Sequence, residues 1–376
     1  MPSSILLRGL AGHGDLESPS AILLADGRIA ALDADAERIG ADRVIEGDGL
    51  AAAPGFIELQ LNGIDGLDFT SEPSTIARVG TAPARYGVTA YLPTIVTSPR
   101  GTVERALDAV PAAAPGMPVA LGLHVEGPYL SAARAGAHDA GLLRDPDADE
   151  IGRWIASGRL RIVTLAPERA GAVEAIEQLV ANGVVASVGH TDADAATTVR
   201  AIEAGARYAT HLFGAMSPFH HRAPGAPGAL LVDERVTVGL ILDGHHLDPM
   251  TVALVARLAP NRVSLVSDAI AALGLADGEH RLGGRTVEVQ GGAARLPDGT
   301  LAGSVTGVDA CVRAFAAITG SPGAAIAAVT GTPARLLGDH ERGRLDVGAR
   351  ADVVLLDASL AVRMTLVGGV VAFEAT

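Results

Sequence analysis

Two apolar patterns alternate through the middle of the chain. Short runs of mostly aliphatic residues occur eight times, at 55–61, 90–95, 119–125, 160–165, 184–189, 208–212, 236–242 and 262–267. Several of these runs are almost continuously apolar, which is typical of parallel strands buried on both faces. Alanine-rich segments of helical character, such as 192–204 and 249–258, separate most of the runs. This alternation predicts an α/β fold, a closed (β/α)8 barrel of the TIM type.

The two ends of the chain share a different pattern, in which short apolar runs are broken by turns. It covers residues 3–50 and returns in residues 344–373. The Asp26-Gly27 pair lies between two such runs and is a strong β-hairpin signal. We therefore predict a small β-sandwich domain, formed by residues 1–52 and 342–376, beside a barrel of residues 53–341.

The composition limits the kinds of molecule that the protein can bind. The 376 residues carry a formal net charge of −14 and only 3% aromatic residues, which argues against a nucleic-acid surface. A small phosphorylated substrate remains compatible, because it needs only one or two well-placed cations. The single cysteine, Cys311, excludes an intrachain disulfide framework. With no signal-peptide pattern and no apolar run of about 20 residues, the expectation is a soluble cytoplasmic protein with no membrane partner.

Polar residues concentrate where the predicted strands end. They are Gln60, Asn62, His124, Glu126, His190, His211, His246 (just beyond Asp243) and Asp268. Burying such a group without a partner is costly, and catalytic residues of these barrels lie at the C-terminal ends of the strands. The pattern therefore indicates an active site at that end of the barrel.

Glu126, His190 and His211 form a suitable ligand set for one divalent metal ion, Zn²⁺ or another transition metal. Their wide spacing in sequence has meaning only if the barrel brings them together. The alternative is that each histidine is half-buried and bonds a backbone carbonyl. Asp268, beside such a metal, could accept a proton from water and pass it to a leaving amine. Its alternative role is to cap the following helix.

Five motifs, taken in order, carry a family resemblance: His124-Val-Glu-Gly-Pro-Tyr129, Gly189-His-Thr-Asp192, Thr210-His-Leu-Phe213, Leu242-Asp-Gly-His-His-Leu247 and Ser267-Asp-Ala269. The sequence resembles the amidohydrolase superfamily and, within it, the N-acetylglucosamine-6-phosphate deacetylases. The likeness extends from Ala53 to Asp352. It implies hydrolysis of an N-acetyl amide, with Glu126, His190 and His211 as metal ligands and Asp268 as general acid and base.

The position of a second metal differs from that of many superfamily members. They carry His-x-His at the end of the first barrel strand, where this chain has Gln60-Leu-Asn62. Amides are poor zinc ligands compared with imidazole. We therefore expect one metal ion per subunit and a vestigial second-metal position at Gln60 and Asn62.

The resemblance also implies contacts with the substrate. His138 would polarise the amide carbonyl as a catalytic residue, and Arg222 and His246 would bind the phosphate, in a homodimer in which they serve the neighbouring pocket. The residues expected to face the sugar are Ala137, Gly214, Ala215, Leu301, Ala302 and Gly303. The alternatives are a loop histidine at 138, a solvated charge at 222, and turn or packing residues for the rest.

Two departures from the family pattern concern the sugar rather than the metal. The family commonly reads Asn-Ala-Met where this chain has Gly214-Ala215-Met216, and residues 270–274 lack an expected threonine and proline. The same chemistry on N-acetylgalactosamine 6-phosphate or on a non-phosphorylated N-acyl sugar therefore remains an alternative. A non-catalytic binding protein on the same barrel is a further one.

Overall fold

A computed structural model describes residues 4–375. Residues 1–3 and 376, which belong to the predicted β-domain, lie outside the described residues. The N-terminal segment contains β1 (Ser4–Arg8), β2 (Ala21–Ala25), β3 (Arg28–Leu32), α1 (Asp33–Ile39), β4 (Arg43–Glu46) and β5 (Ala51–Pro54). The predicted hairpin joins β2 to β3. Asp26 and Gly27 have φ of 50° and 74°, the left-handed backbone that a tight hairpin turn requires.

The middle of the chain alternates strands and helices. Its elements are β6 (Phe56–Leu61), β7 (Gly63–Ile64), β8 (Leu67–Asp68), β9 (Val88–Val96), α2 (Thr102–Ala109), β10 (Val119–Ala120), β11 (Leu123–Glu126), α3 (Ala148–Ala156), β12 (Leu160–Leu165), α4 (Ala172–Ala181), β13 (Val185–Val188), α5 (Ala195–Glu203), β14 (Tyr208–Ala209), α6 (Gly225–Val232), β15 (Thr237–Leu240), α7 (Pro249–Leu258) and β16 (Val263–Leu265). Short 3-10 helices lie at Pro73–Arg78, Ala82–Tyr86, Ala132–Arg134 and Ala140–Leu142.

Eight of these strands form a parallel barrel. The order is β6-β9-β11-β12-β13-β14-β15-β16, and the short β10 also pairs with β9. A parallel bridge between Leu61 and Ala269 connects the first strand to the end of the last. Each of the eight predicted strands overlaps one barrel strand, and the predicted TIM-like fold class is confirmed.

A three-stranded antiparallel sheet follows the last barrel strand: β17 (Gly278–Leu282), β18 (Arg285–Gln290) and β19 (Ala293–Arg295). We call residues 278–295 the inserted sheet; it was not predicted from the sequence. Its buried face, including Leu282 and Val287, packs against Val96 of β9 and Ile270. The inserted sheet therefore lies at the end of the barrel where the strands finish.

The C-terminal part consists of α8 (Val308–Thr319), α9 (Pro322–Ala327), α10 (Gly331–Leu337), β20 (Val353–Leu356), β21 (Val362–Val367) and β22 (Val370–Glu374). β5 pairs with β20, giving a sheet of order β22-β21-β20-β5, beside the N-terminal sheet of order β3-β2-β1-β4. Ile5, Ile22, Val353 and Leu366 share one apolar core, so the two ends form the predicted small β-domain. Its boundaries at 52 and 342 stay predictions. No helix within residues 4–375 combines the length and the apolar character needed to cross a bilayer.

Candidate metal centre and substrate pocket

A cavity of about 360 Å³ opens at the C-terminal ends of the barrel strands. Most of the predicted site residues line it: Asn62, Glu126, Ala137, His138, His190, His211, Gly214, Ala215, His246, Asp268, Leu301 and Gly303. Gln60 lies directly beneath, hydrogen-bonded to Glu126 and Asp268. The barrel thus brings residues from distant parts of the chain into one pocket.

Glu126, His190 and His211 converge at the base of this pocket. Glu126 Oε1 lies 3.0 Å from His211 Nε2 and 3.4 Å from His190 Nε2, and the two Nε2 atoms are 3.1 Å apart. All three side chains are buried. Ligand atoms that share one ion at bond lengths of about 2.0–2.2 Å lie about 3–3.5 Å apart, so this arrangement fits a single transition-metal ion.

The electrostatics of the trio also fit a cation. Burial acts against the charged form of Glu126, but its close interactions with the rings of His190 and His211 hold its pKa well below the usual range. Burial likewise acts to lower the pKa of His211, yet the hydrogen bond and charge of Glu126 raise it to about 9. Positive charge is therefore stabilised at the point where the three groups meet. The geometry and charge of these three groups make them a candidate site for a divalent metal ion.

Both histidines of the trio turn Nε2 toward Glu126. His190 Nδ1 lies 2.9 Å from the carbonyl oxygen of Arg134 and donates to it, so in the neutral ring the lone pair is on Nε2. His211 Nδ1 is buried without a partner, and its Nε2 lies 3.0 Å from Glu126 Oε1. His211 would therefore release its Nε2 proton on binding a metal ion.

His138 has the opposite tautomer. Its Nδ1 accepts a hydrogen bond from the backbone N–H of Thr97 at 3.2 Å and lies 2.8 Å from the Thr97 hydroxyl. Burial lowers the pKa of His138 to about 3, which keeps the ring neutral. A neutral ring that accepts at Nδ1 carries its proton on Nε2.

Geometry alone offers a second ligand set. Donor atoms of Glu126, His138 and His190 all lie within 4.8 Å of one another. The Nε2 of His138 carries its proton in the neutral ring and lies 3.7 Å from the nearest Glu126 oxygen, whereas His211 Nε2 lies 3.0 Å from Glu126 Oε1. We therefore favour His211 as the third ligand and regard His138 as a hydrogen-bond donor to the pocket.

Asp268 faces the trio from the end of the last barrel strand. Its Oδ1 accepts hydrogen bonds from Gln60 Nε2 at 3.0 Å and from Asn62 Nδ2 at 2.7 Å, and its Oδ2 has no donor among residues 4–375. Burial, together with the charge of Glu126, raises the pKa of Asp268 to about 6. A carboxyl group with this pKa can accept and release a proton near neutral pH.

Gln60 and Asn62 act as donors in this arrangement. Gln60 Nε2 also donates to Glu126 Oε1 at 3.1 Å, so one amide bridges two carboxylates. Rotating either side-chain amide by half a turn would place its oxygen next to a carboxylate oxygen, and the two acceptors would repel each other. The predicted vestigial second-metal position is therefore occupied by groups that orient Glu126 and Asp268.

The backbone of the site is unusual. His190, His211, Ala215 and Asp268 have φ of 47°, 30°, 48° and 48°, in the left-handed region that non-glycine residues rarely adopt. Such strain persists only where the surroundings enforce it and is common at functional sites. At His190, His211 and Asp268 this conformation occurs just after a barrel strand.

Three of the predicted substrate contacts have distinct surroundings. His246 lines its own chain's pocket, and its Nδ1 lies 2.8 Å from Asp243 Oδ2. Arg222 does not line the pocket: it is exposed, and its Nη1 contacts His221. Ala302 is fully buried among Val96 and other apolar residues beside the pocket wall. The structure thus brings His246, but neither Arg222 nor Ala302, into the cavity.

His124, one of the polar strand-end residues, lies inside the barrel. Its Nδ1 is 3.0 Å from the carbonyl oxygen of Leu59, and its Nε2 is 2.7 Å from the Thr164 hydroxyl. Burial lowers its pKa to about 4. Both ring nitrogens are used within the fold, so His124 supports the strands beneath the pocket.

Sequence reasoning missed several residues of the pocket wall. Arg134, Val96 and Leu282 line the cavity, and Arg285 of the inserted sheet holds the loop that carries His138. The Gly283-Gly284 pair between Leu282 and Arg285 is a hairpin signal that could have revealed the inserted sheet. Nothing local marks Arg134 or Val96 as wall residues.

The barrel, the polar cluster at its strand ends and the flanking β-domain agree with the family that the sequence matches. A family model described as the amidohydrolase family matches residues 51–372. The chain belongs to the amidohydrolase family.

Its relatives are more specific. The N-acetylglucosamine-6-phosphate deacetylase of Bos taurus is 41% identical over 89% of this chain and 86% of its own length. The N-acetylgalactosamine-6-phosphate deacetylase of Escherichia coli O157:H7 is 38% identical over 92% of this chain and 93% of its own. A solved structure of a Mycobacterium smegmatis N-acetyl-D-glucosamine-6-phosphate deacetylase variant, in complex with that sugar phosphate, is 37% identical, has a TM-score of 0.90 and covers 99% of this chain and 100% of its own. The resemblance found in the sequence is confirmed.

Proposed function

We propose that this chain hydrolyses the amide of N-acetylglucosamine 6-phosphate, giving glucosamine 6-phosphate and acetate. The observation that carries the proposal is the convergence, in one pocket, of the Glu126 carboxylate and two imidazoles whose Nε2 atoms face it, beside Asp268 and the N–H of His138. Relatives with this enzyme name match most of the chain. The intact ligand set and Asp268 argue against a non-catalytic barrel.

Glu126, His190 and His211 would hold the metal ion, and the nitrogen-rich donor set favours zinc. A divalent ion at this position polarises the amide carbonyl and lowers the pKa of water. We expect about one equivalent per subunit, because Gln60 and Asn62 present amide N–H groups where a second ion would need ligands.

The remaining chemistry falls to Asp268 and His138. Asp268 accepts a proton from the attacking water through Oδ2, the oxygen without a protein donor. His138 donates its Nε2–H to the carbonyl oxygen as negative charge develops there. Protonated Asp268 then delivers its proton to the amide nitrogen, the C–N bond breaks, and the amine leaves.

Recognition of the phosphate would draw on His246 from the pocket's own chain and on Arg222 from a second subunit. Arg222 lies outside the cavity of its own chain but remains exposed. Exposed apolar side chains also lie on α6 and α7, at Val232, Met250 and Leu254, as a subunit interface would require. A cytoplasmic homodimer stays a prediction.

N-acetylgalactosamine 6-phosphate is the second candidate substrate. The relative that bears this substrate in its name covers this chain as fully as the others do, and Gly214 lacks the side chain that the glucosamine enzymes commonly place there. The two sugars differ only at one hydroxyl group, so the same catalytic residues would serve both.

A substrate screen tests the proposal. Zinc-replete protein is assayed for acetate release from both N-acetyl hexosamine 6-phosphates and from the two non-phosphorylated sugars. We expect the highest kcat/KM on N-acetylglucosamine 6-phosphate and a much lower value on either plain sugar. A higher kcat/KM on the galactosamine compound would transfer the assignment to it. Acetate release from none of the four would exclude the proposed function.

Replacing the proton-transfer group provides a second test. Asp268→Asn keeps the size and most hydrogen bonds but cannot accept a proton, so kcat should fall by about 10²–10⁴-fold with metal content unchanged. Steady-state kinetics and metal analysis measure the two quantities, and Asp277→Asn, at an exposed aspartate, is the control. Near-normal turnover by Asp268→Asn would contradict the assigned role.

A further inference from the structure

Arg285 connects the inserted sheet to the loop that carries His138. Its Nη1 donates to the carbonyl oxygen of Ala137 at 3.0 Å and to that of His138 at 3.1 Å. Arg285 begins β18, and its side chain is half-buried between the inserted sheet and the loop. Arg285 does not line the pocket, so it contacts the His138 loop on the side away from the cavity.

We propose that Arg285 is a positioning residue that holds the His138 loop so that the Nε2–H of His138 faces the reacting carbonyl. This inference rests on the function proposed above. Backbone donation from Thr97 fixes one side of the imidazole, and Arg285 fixes the peptide groups on both sides of the residue. The ring is thereby constrained in tautomer and in position.

The inserted sheet is itself anchored firmly enough to serve as a support. Gly283 N–H donates to the buried Asp68 carboxylate at 2.9 Å. Leu282 and Val287 pack into the same apolar cluster as Val96, the residue before Thr97. Both supports of His138, Thr97 and Arg285, therefore belong to one packed unit.

A group that donates a hydrogen bond in a transition state must be held close to its productive position, because a misplacement of about 1 Å can cost about 10²-fold in rate. The loop carbonyls of Ala137 and His138 have no other donor among residues 4–375. Loss of Arg285 would leave these two acceptors unpaired and the loop free to move.

The chemistry of the contact offers a sharp comparison. Both hydrogen bonds come from a single nitrogen atom, so a lysine ammonium can make them as well, whereas alanine can make neither. Arg281 of β17 is exposed on the same inserted sheet and carries the same charge, and no hydrogen bond joins it to the loop within residues 4–375. Arg285→Lys and Arg281→Ala are therefore the rescue variant and the matched control.

The test compares Arg285→Ala, Arg285→Lys and Arg281→Ala in zinc-replete protein with N-acetylglucosamine 6-phosphate. We expect Arg285→Ala to lower kcat by about 10–100-fold with little change in KM. Arg285→Lys should stay within about fivefold of the parent, and Arg281→Ala should equal it. In a His138→Ala background, Arg285→Ala should add less than about twofold, because two residues that act as one unit are not additive. A full additional loss in that background would overturn the proposal.

Hydrogen–deuterium exchange separates this inference from the proposed function. Amides of residues 131–139 should exchange faster in Arg285→Ala than in the parent, and Arg281→Ala should leave them unchanged. Unchanged exchange in Arg285→Ala would overturn the positioning role whatever the activity. A parent protein that hydrolyses no N-acetyl sugar would refute the proposed function, while the exchange result would still decide whether Arg285 orders the loop.

Discussion

At the scale of single residues, the site depends on backbone conformations that a sequence does not display. The strand-end pattern located Glu126, His190, His211 and Asp268, because polar side chains that interrupt buried apolar runs are conspicuous. It could not reveal the left-handed φ of the last three, nor which ring nitrogen each histidine offers. Those features depend on neighbours distant in sequence, such as the Arg134 carbonyl beside His190.

The hydrogen bond from Asn62 to Asp268 makes a prediction about pH. Burial raises the pKa of Asp268 to about 6, and the Asn62 hydrogen bond acts to lower it. Activity requires the deprotonated carboxylate, so kcat/KM should fall as the pH drops through its pKa. Asn62→Leu removes a bond that favours the charged form, and the acidic limb of the pH profile should move to higher pH. Asn182→Leu, at an exposed amide, should leave the limb in place, and a shift to lower pH in Asn62→Leu would contradict this account.

At the scale of elements, the sequence predicted the strands that form almost continuous apolar runs and missed the strands that do not. All eight barrel strands were found because both of their faces are buried. The inserted sheet escaped because its strands are short and bury one face, as in β18, where exposed and buried residues alternate. Its importance comes from its position against β9 and the His138 loop, which no local pattern encodes.

Asp68 should hold the inserted sheet in place. Its buried carboxylate accepts hydrogen bonds from the backbone N–H groups of Thr70, Ser71 and Gly283 and from the Ser71 hydroxyl. Asp68→Ala should therefore lower the free energy of unfolding by about 2–4 kcal/mol, since several buried donors lose their acceptor, and should increase exchange in residues 278–295. Urea titration and exchange measure these effects. Asp277→Ala, which removes one exposed acceptor of Gly291, should have a much smaller effect; equal effects would argue against the anchor.

At the scale of the whole molecule, stability should be linked to metal binding, because the three proposed ligands lie at the ends of three different barrel strands, β11, β13 and β14. A ligand that binds only the folded state adds about 4 kcal/mol at a concentration 1,000 times its Kd. Chelation should therefore lower the Tm by several degrees, and added zinc should restore it. Differential scanning calorimetry provides the measurement. A His211→Ala variant should show a smaller response, and a parent Tm that is insensitive to chelator would contradict the metal site.

The proposed dimer makes a separate prediction. Met250 is 82% exposed on α7, and Met250→Glu should yield monomers by light scattering if α7 forms the interface. The KM for the phosphorylated sugar should then rise as it does in Arg222→Ala, because each pocket loses the partner's guanidinium. Ile39→Glu changes another exposed apolar residue, 64% exposed, in the β-domain and should alter neither quantity. Monomers with an unchanged KM would remove Arg222 from phosphate binding.

The inserted sheet is one uninterrupted stretch of chain that contributes none of the proposed metal ligands and yet forms part of the pocket wall through Leu282. This one stretch therefore carries a wall residue of the pocket, Leu282, together with Arg285, which contacts the His138 loop. Residues 278–295 could be exchanged between relatives with the Arg285 and Asp68 contacts retained. The exchange would change part of the pocket wall and leave the proposed metal ligands unchanged. Replacement of this one short segment is therefore a route by which the barrel could acquire activity on other N-acyl sugars.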